Sequence, residues 1–245
     1  MVKKIVKVCG LKSTDAAAIA IESGASLLGT ILVPNRARTV DPKTAREISK
    51  LCYAKRIEKG SKYLSAQDLK GFVNELDIQG PEWFEKVAET IAENGPYLVG
   101  VFRNQALKDV KQISEDLNID IIQLHGSEDV NLFASELIQP VIPRFVLNKP
   151  GFEESLSTHK FLIPLLDSEA GGEGKLINWD DASSFGNFKN GRFILAGGLD
   201  PENVGDALQV EGCLGVDVSG GVETDGAKDI NKIKYFVSNA KASIM

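Results

Sequence analysis

The sequence predicts a (β/α)8 barrel on three observations. Short apolar runs rich in β-branched residues recur eight times along the chain, each followed by a stretch whose apolar residues fall at helical spacing. Parallel strands with crossover helices produce this alternation. The length of 245 residues, 43% of them apolar, suits one such barrel and is ample for its core. The fingerprint glycine loop that follows the first strand of an open doubly wound sheet, the competing architecture, is missing.

Taken in order, the first strand is expected at 5–9, with Ser13 and Thr14 capping a helix over 15–22. A second strand at 27–32 leads to Asp41-Pro42, a cap and first-turn proline before a helix running to Ile57. Residues 59–95 exceed a minimal barrel and carry no further buried-strand signal. In this stretch Leu69, Phe72, Val73 and Leu76 share a helical stripe, and after Pro81 so do Trp83 or Phe84, Val87 and Ile91. Two inserted amphipathic helices are expected, decorating the outer helix layer or, on a sharper reading, forming a partner-binding hairpin. The remaining strands are expected at 97–102, 119–124, 141–146, 161–166, 192–196 and 214–218. Asp200-Pro201-Glu202 opens a helix over 203–208, and Asp229 caps the last one. One domain, 1–245, accommodates everything.

Composition narrows the function. No apolar run approaches a membrane span, and no cleavable leader pattern opens the chain. Cys9, Cys52 and Cys213 stand at no metal-like spacing and do not all pair, which fits a reducing, cytoplasmic compartment. A formal charge of -6 without a basic stripe opposes nucleic-acid binding, so an anionic ligand needs a local site. Two histidines, His125 and His159, are too few for a histidine-based metal centre.

In a barrel, catalytic side chains stand at the C-terminal ends of strands. Strand parity puts Lys7 and Cys9 on one face and Val6 and Val8 on the other, so Cys9 faces the mouth. The same parity points Gln123, His125, Asp167 and Asp217 inward from three further strands. Cys9 suits a base or nucleophile if a cation lowers its pKa, and Lys7 on the same face is the candidate cation. Asp167, leaving an apolar strand, suits a general acid whose pKa burial raises. The segment from Ser168 to Gly174 after it reads as a lid or an ordinary surface loop. Gly197-Gly198 and Ser219-Gly220 follow strands seven and eight, the common phosphate cradle of such barrels, and imply a phosphorylated substrate. In the loop after strand two, Arg38 or Arg36 is placed to grip a carboxylate.

These motifs resemble the phosphoribosylanthranilate isomerase family over nearly the whole chain. Lys7-Val8-Cys9-Gly10-Leu11, the segment from Pro34 to Pro42, Val99-Gly100-Val101-Phe102, Gln123-Leu124-His125-Gly126, Leu166-Asp167-Ser168, the run from Ala196 to Val204 and the run from Val216 to Glu223 carry the resemblance. It implies a cofactor-free, metal-free isomerase of tryptophan biosynthesis that rearranges N-(5-phosphoribosyl)anthranilate. Asp167 then matches the acid that opens the furanose and Cys9 the base that removes the C2′ proton. Arg38 matches the arginine that holds the anthranilate carboxylate. Gly197, Gly198, Ser219 and Gly220 match the phosphate loops, and Gln123, His125 and Asp217 line the pocket. The implied partner is a small phosphorylated molecule bound by a monomer or homodimer, with no nucleic acid or membrane. A non-catalytic scaffold that retains the glycine loops is the reading from another class, and it predicts loss of the acid or the base.

Overall fold

The eight expected strands are all present and close into a ring: β1 (Ile5–Val8), β2 (Leu27–Ile31), β3 (Tyr97–Phe102), β4 (Ile121–Leu124), β5 (Val141–Phe145), β6 (Leu165–Leu166), β7 (Phe193–Ala196) and β8 (Cys213–Val218). Each pairs in parallel with its neighbour in chain order, and β8 returns to β1. The structure is a computed structural model that describes residues 3–168 and 177–244.

The cap chemistry places the helices where expected. Ser13 accepts from the Ala16 amide to start α1 (Thr14–Ser23), and Gly24 in the left-handed region ends it. Asp41 caps α2 (Pro42–Glu58), with proline in its first turn. The segment expected as an insertion forms α3 (Ala66–Glu75), opened by a reciprocal Ser65–Asp68 capping box, and α4 (Pro81–Asn94). There follow α5 (Leu107–Leu117), α6 (Val130–Glu136), α7 (Trp179–Lys189), α8 (Val204–Ala207) and α9 (Ile230–Ala242), the last capped by Asp229.

Several expectations are corrected. The fifth βα unit has a five-residue 3₁₀ turn, Phe152–Leu156, instead of an α-helix, because left-handed Asn148 and Gly151 flank Pro150 and leave no room for one. The ladder of β6 covers two residues rather than 161–166, since Pro164 has no N–H to donate and pairs only through its carbonyl, which accepts from Ile194. Around Asp200 the chain turns before α8 starts at Val204, although the Asp200 side chain does accept from the Glu202 and Asn203 amides. Cys213 opens β8 instead of lying in the connection before it. His159 occupies a turn at φ +64°. A hairpin absent from the expectations, β9 (Glu223–Thr224) with β10 (Ala227–Lys228), turns through left-handed Asp225 and Gly226.

The inserted helices do not decorate the outer layer. Glu85 of α4 binds Arg192 just before β7 (2.7 Å), Glu93 binds Lys3 just before β1 (3.0 Å), and the Phe84 ring lies 6.4 Å from Phe161, ahead of β6. In α3, Lys70 donates to the carbonyls of Ala134 and Leu137 ahead of β5. These partners lie just ahead of a strand or at the end of the helix that leads into β5, so α3 and α4 form a floor under the barrel, opposite its mouth. Trp83, fully buried and edge-on to Phe84 at 5.0 Å, is the floor's central side chain.

Candidate active site

The mouth holds a cavity of about 730 Å³. Cys9, Arg38, Gln123, His125, Asp167, Gly197, Gly198, Asp217, Ser219 and Gly220, the predicted site residues, all line it, and so do Arg36 and Arg103. The loop from 169 to 176, read from the sequence as a lid or surface loop, lies outside the described residues.

Cys9 follows β1 and is 6% exposed, with its amide donating to the Val218 carbonyl. Its fit depends on Gly29 of the neighbouring strand, where a Cβ would stand 2.6 Å from the Cys9 sulfur. Lys7 below it is wholly buried, and its Nζ lies 2.9 Å from Oδ1 of Asp217, its register partner on β8. The Lys7 charge pulls the Cys9 thiol down as the sequence suggested, but burial outweighs it and the thiol lies above its ordinary value. The ammonium is shared with Asp217 and does not overcome desolvation. Lys7 itself stays protonated because Asp217 and Cys9 oppose the penalty of burial.

Asp167 follows β6, three strands round the ring from β1. Its carboxyl is pushed up by burial, against the guanidinium of Arg144, as a proton donor requires. Oδ1 accepts from the Ser168 amide at 2.8 Å. Oδ2 lies 3.5 Å from Nε2 of His125 and 3.4 Å from Nε of Arg144. Burial first, then Arg144, Lys7, Arg103 and Arg38, pull the His125 pKa down to about 3, so the ring is neutral. Gln123 Nε2 donates to Nδ1 of that ring at 3.2 Å, which leaves its proton on Nε2, toward Asp167.

Gly197 and Gly198 after β7 have φ of +86° and +65°, conformations that side chains with a Cβ rarely adopt, and Asn203 ties the Gly198 carbonyl at 2.9 Å. Beyond β8, Ser219 Oγ accepts from Arg38 Nη1 at 2.7 Å, and the Ser219 carbonyl accepts from Lys228 Nζ at 2.8 Å. Arg38 thus reaches over the loop that follows β8, whereas Arg36 is exposed at the rim. Sequence reasoning missed Arg103, Arg144 and Lys228. Arg144 was visible as the one charged residue within 141–146, and Lys228 as the residue that an Asp-Gly turn folds back. With Lys7, Arg36 and Arg38 they give the mouth of an acidic protein a local positive field suited to a phosphate and a carboxylate.

Residues 49–239 match the family of N-(5′-phosphoribosyl)anthranilate (PRA) isomerase. The chain is 46% identical to the N-(5′-phosphoribosyl)anthranilate isomerase of Wickerhamomyces anomalus, over 96% of this chain and 99% of that one. Among solved structures it resembles phosphoribosyl anthranilate isomerase from Thermus thermophilus, with a TM-score of 0.71 at 25% identity covering 97% and 98% of the two chains. It also resembles a phosphoribosyl anthranilate isomerase in complex with reduced 1-(o-carboxyphenylamino)-1-deoxyribulose 5-phosphate, with a TM-score of 0.66 at 26% identity covering 98% and 99%.

Proposed function

The chain belongs to the N-(5′-phosphoribosyl)anthranilate isomerase family, and on that premise we propose how its own residues carry the reaction. That reaction, a step of tryptophan biosynthesis, converts N-(5′-phosphoribosyl)anthranilate to 1-(2-carboxyphenylamino)-1-deoxyribulose 5-phosphate. Carbon 1 is reduced as carbon 2 is oxidised, so no outside oxidant or reductant enters the balance.

The loops at Gly197-Gly198 and Ser219-Gly220 hold the phosphate, and Arg38 turns from Ser219 to the anthranilate carboxylate. Asp167 delivers its proton to the furanose ring oxygen. The C1′–O bond breaks toward that oxygen as the anthranilate nitrogen lone pair forms the C1′=N⁺ Schiff base. Cys9, as thiolate, removes the C2′ proton, and the released electron pair makes the C1′=C2′ bond of the enolamine and neutralises the nitrogen. Transfer of a proton from the C2′ hydroxyl to C1′ then yields the ketone. Gln123, His125 and Asp217 line the path: His125 donates to the spent carboxylate, and Asp217 holds Lys7 beneath the thiol.

One observation supports this assignment above the others: a buried thiol and a buried carboxyl whose pKa burial raises follow two different strands of one ring and open on the same cavity. The test follows anthranilate fluorescence on substrate generated in situ, without added metal. Cys9→Ser and Asp167→Asn are each expected to lose roughly 10²–10⁴ of kcat with substrate still bound. Turnover near wild type in either would sink the role given to that residue. We further read the chain as one folding unit, cytoplasmic, acting as a monomer or homodimer on a small phosphorylated substrate, with no cofactor, metal or nucleic-acid partner.

A further inference from the structure

Arg144 projects from β5, where its register partner is Leu165, two residues before the acid. Its Nε stands 3.4 Å from Oδ2 of Asp167, and its Nη2 donates to the Ser168 carbonyl at 2.6 Å. Asp167 lines the mouth cavity, and Arg144 packs against its carboxyl. Among the described residues, the other groups around Asp167 come from four elements. His125 after β4 is neutral at 3.5 Å, the Ser168 amide donates to Oδ1, and Lys7 on β1 and Asp217 on β8 act on it through charge alone. Lys7 is already committed to Asp217 at 2.9 Å. Among the described residues, Arg144 therefore brings the positive charge nearest the acid.

We propose that Arg144 is the positioning residue of the general acid: its fork spans the Asp167 carboxyl and the Ser168 carbonyl, fixes the direction in which the acid offers its proton, and stabilises the carboxylate left behind. The inference rests on Asp167 being the acid. A buried carboxyl alone holds its proton too tightly to be a good donor, and a carboxyl beside an unopposed guanidinium loses its proton before substrate arrives. Burial and Arg144 act in opposite directions on one group, and a usable donor lies between those extremes. The planar fork matters as well as the charge, because a lysine ammonium reaches the carboxyl or the carbonyl but has no rigid geometry spanning both.

The test separates the clamp from the acid. The Asp167 carboxyl is titrated in substrate-free enzyme by infrared difference spectroscopy, with Asp167→Asn as the blank, in wild type, Arg144→Met and Arg144→Lys. In Arg144→Met the carboxyl should titrate about one pH unit or more higher, and the limb of the kcat/KM profile that titrates with it should move by the same amount. kcat should fall roughly 10- to 100-fold with KM changed less than about threefold. Arg144→Lys should restore the titration but only part of kcat. An unmoved carboxyl in Arg144→Met, a loss carried by KM, or wild-type kcat in Arg144→Lys would each overturn the proposal. If the carboxyl moves while the rate profile does not, the reading of Asp167 as acid fails and with it the role built on that reading. If Arg144→Met does not fold, the lysine variant decides alone by its kcat.

Discussion

At the residue scale the two proton-transfer groups are opposed in what they need and alike in what burial does to them. Burial raises both the Cys9 thiol and the Asp167 carboxyl. A thiol displaced upward still titrates above a carboxyl displaced upward, so between the two values the proton sits on Cys9 and is missing from Asp167. The productive pair, thiolate with carboxylic acid, is then the minority arrangement, and its population is flat between the two pKa values. A kcat/KM profile is expected whose rising limb titrates with Asp167 and whose falling limb titrates with Cys9. The thiol itself should be less ionised than a free cysteine at any given pH, because burial raises it. Thiolate absorbance followed against pH in a Cys52→Ala, Cys213→Ala background checks this; ionisation of Cys9 near neutral pH would contradict it. Arg38→Ala should chiefly raise KM, since Arg38 holds a part of the substrate that does not react, and an unchanged KM would move the carboxylate to Arg36. Strand parity alone brought Lys7, Cys9, Gln123, His125 and Asp217 to the right face. The sign of the thiol shift was not legible, because it depends on how completely the fold excludes water and on Lys7 finding Asp217 across two strands far apart in sequence.

At the element scale, one buried arginine ties the approach to the floor to the strands beside it. Arg56, near the end of α2, is 2% exposed and pairs both Nη atoms with the Asp120 carboxylate at 2.8 Å. It also donates to the carbonyls of Leu64, ahead of α3, and Pro96, ahead of β3. Its guanidinium lies 4.8 Å from the Tyr97 ring centroid. Arg56→Ala leaves Asp120 buried without its cation and should cost about 3–5 kcal/mol of stability, read from a urea denaturation midpoint. A loss under about 1 kcal/mol would mean that water replaces the guanidinium. The second cavity, beside the floor, is ringed by Lys3, Lys4, Lys55, Lys59 and Lys241. Those lysines largely serve the fold: α1, α2, α4 and α9 end in this region, and Lys59 and Lys4 donate to carbonyls at Gly95 and Leu208. The existence of α3 and α4 was plain from their apolar stripes and caps. Their place under the barrel was not, because a stripe shows that a face is buried without naming the surface that covers it.

At the scale of the whole molecule, the floor raises the question of whether 245 residues fold as one unit or as a barrel with an attached pair of helices. A chain of this length has room for intermediates, and an insertion packed only on its own residues would unfold separately. Here the contacts of the floor reach the starts of β1, β5, β6 and β7, which are spread through the sequence from Lys3 to Arg192. Losing the floor would expose the buried ends of strands on both sides of the ring, so its unfolding should carry the barrel with it. The sequence supplies separate reporters, since its two tryptophans are Trp83 in α4 and Trp179 at the start of α7. In Trp179→Phe the remaining indole reports on the floor, while far-UV circular dichroism reports on the molecule as a whole. Denaturant transitions followed by the two signals should share one midpoint and one slope. An earlier fluorescence midpoint would separate the floor from the barrel as an independently melting part. Trp83→Ala in the otherwise wild-type chain supplies the complementary measurement. Truncating a fully buried indole should cost about 3–5 kcal/mol. If the molecule is one unit, that loss must lower the midpoint reported from α7 by Trp179 as much as the midpoint seen by circular dichroism. If the floor melts alone, the Trp179 signal stays where it was, because nothing in the barrel has then lost its support.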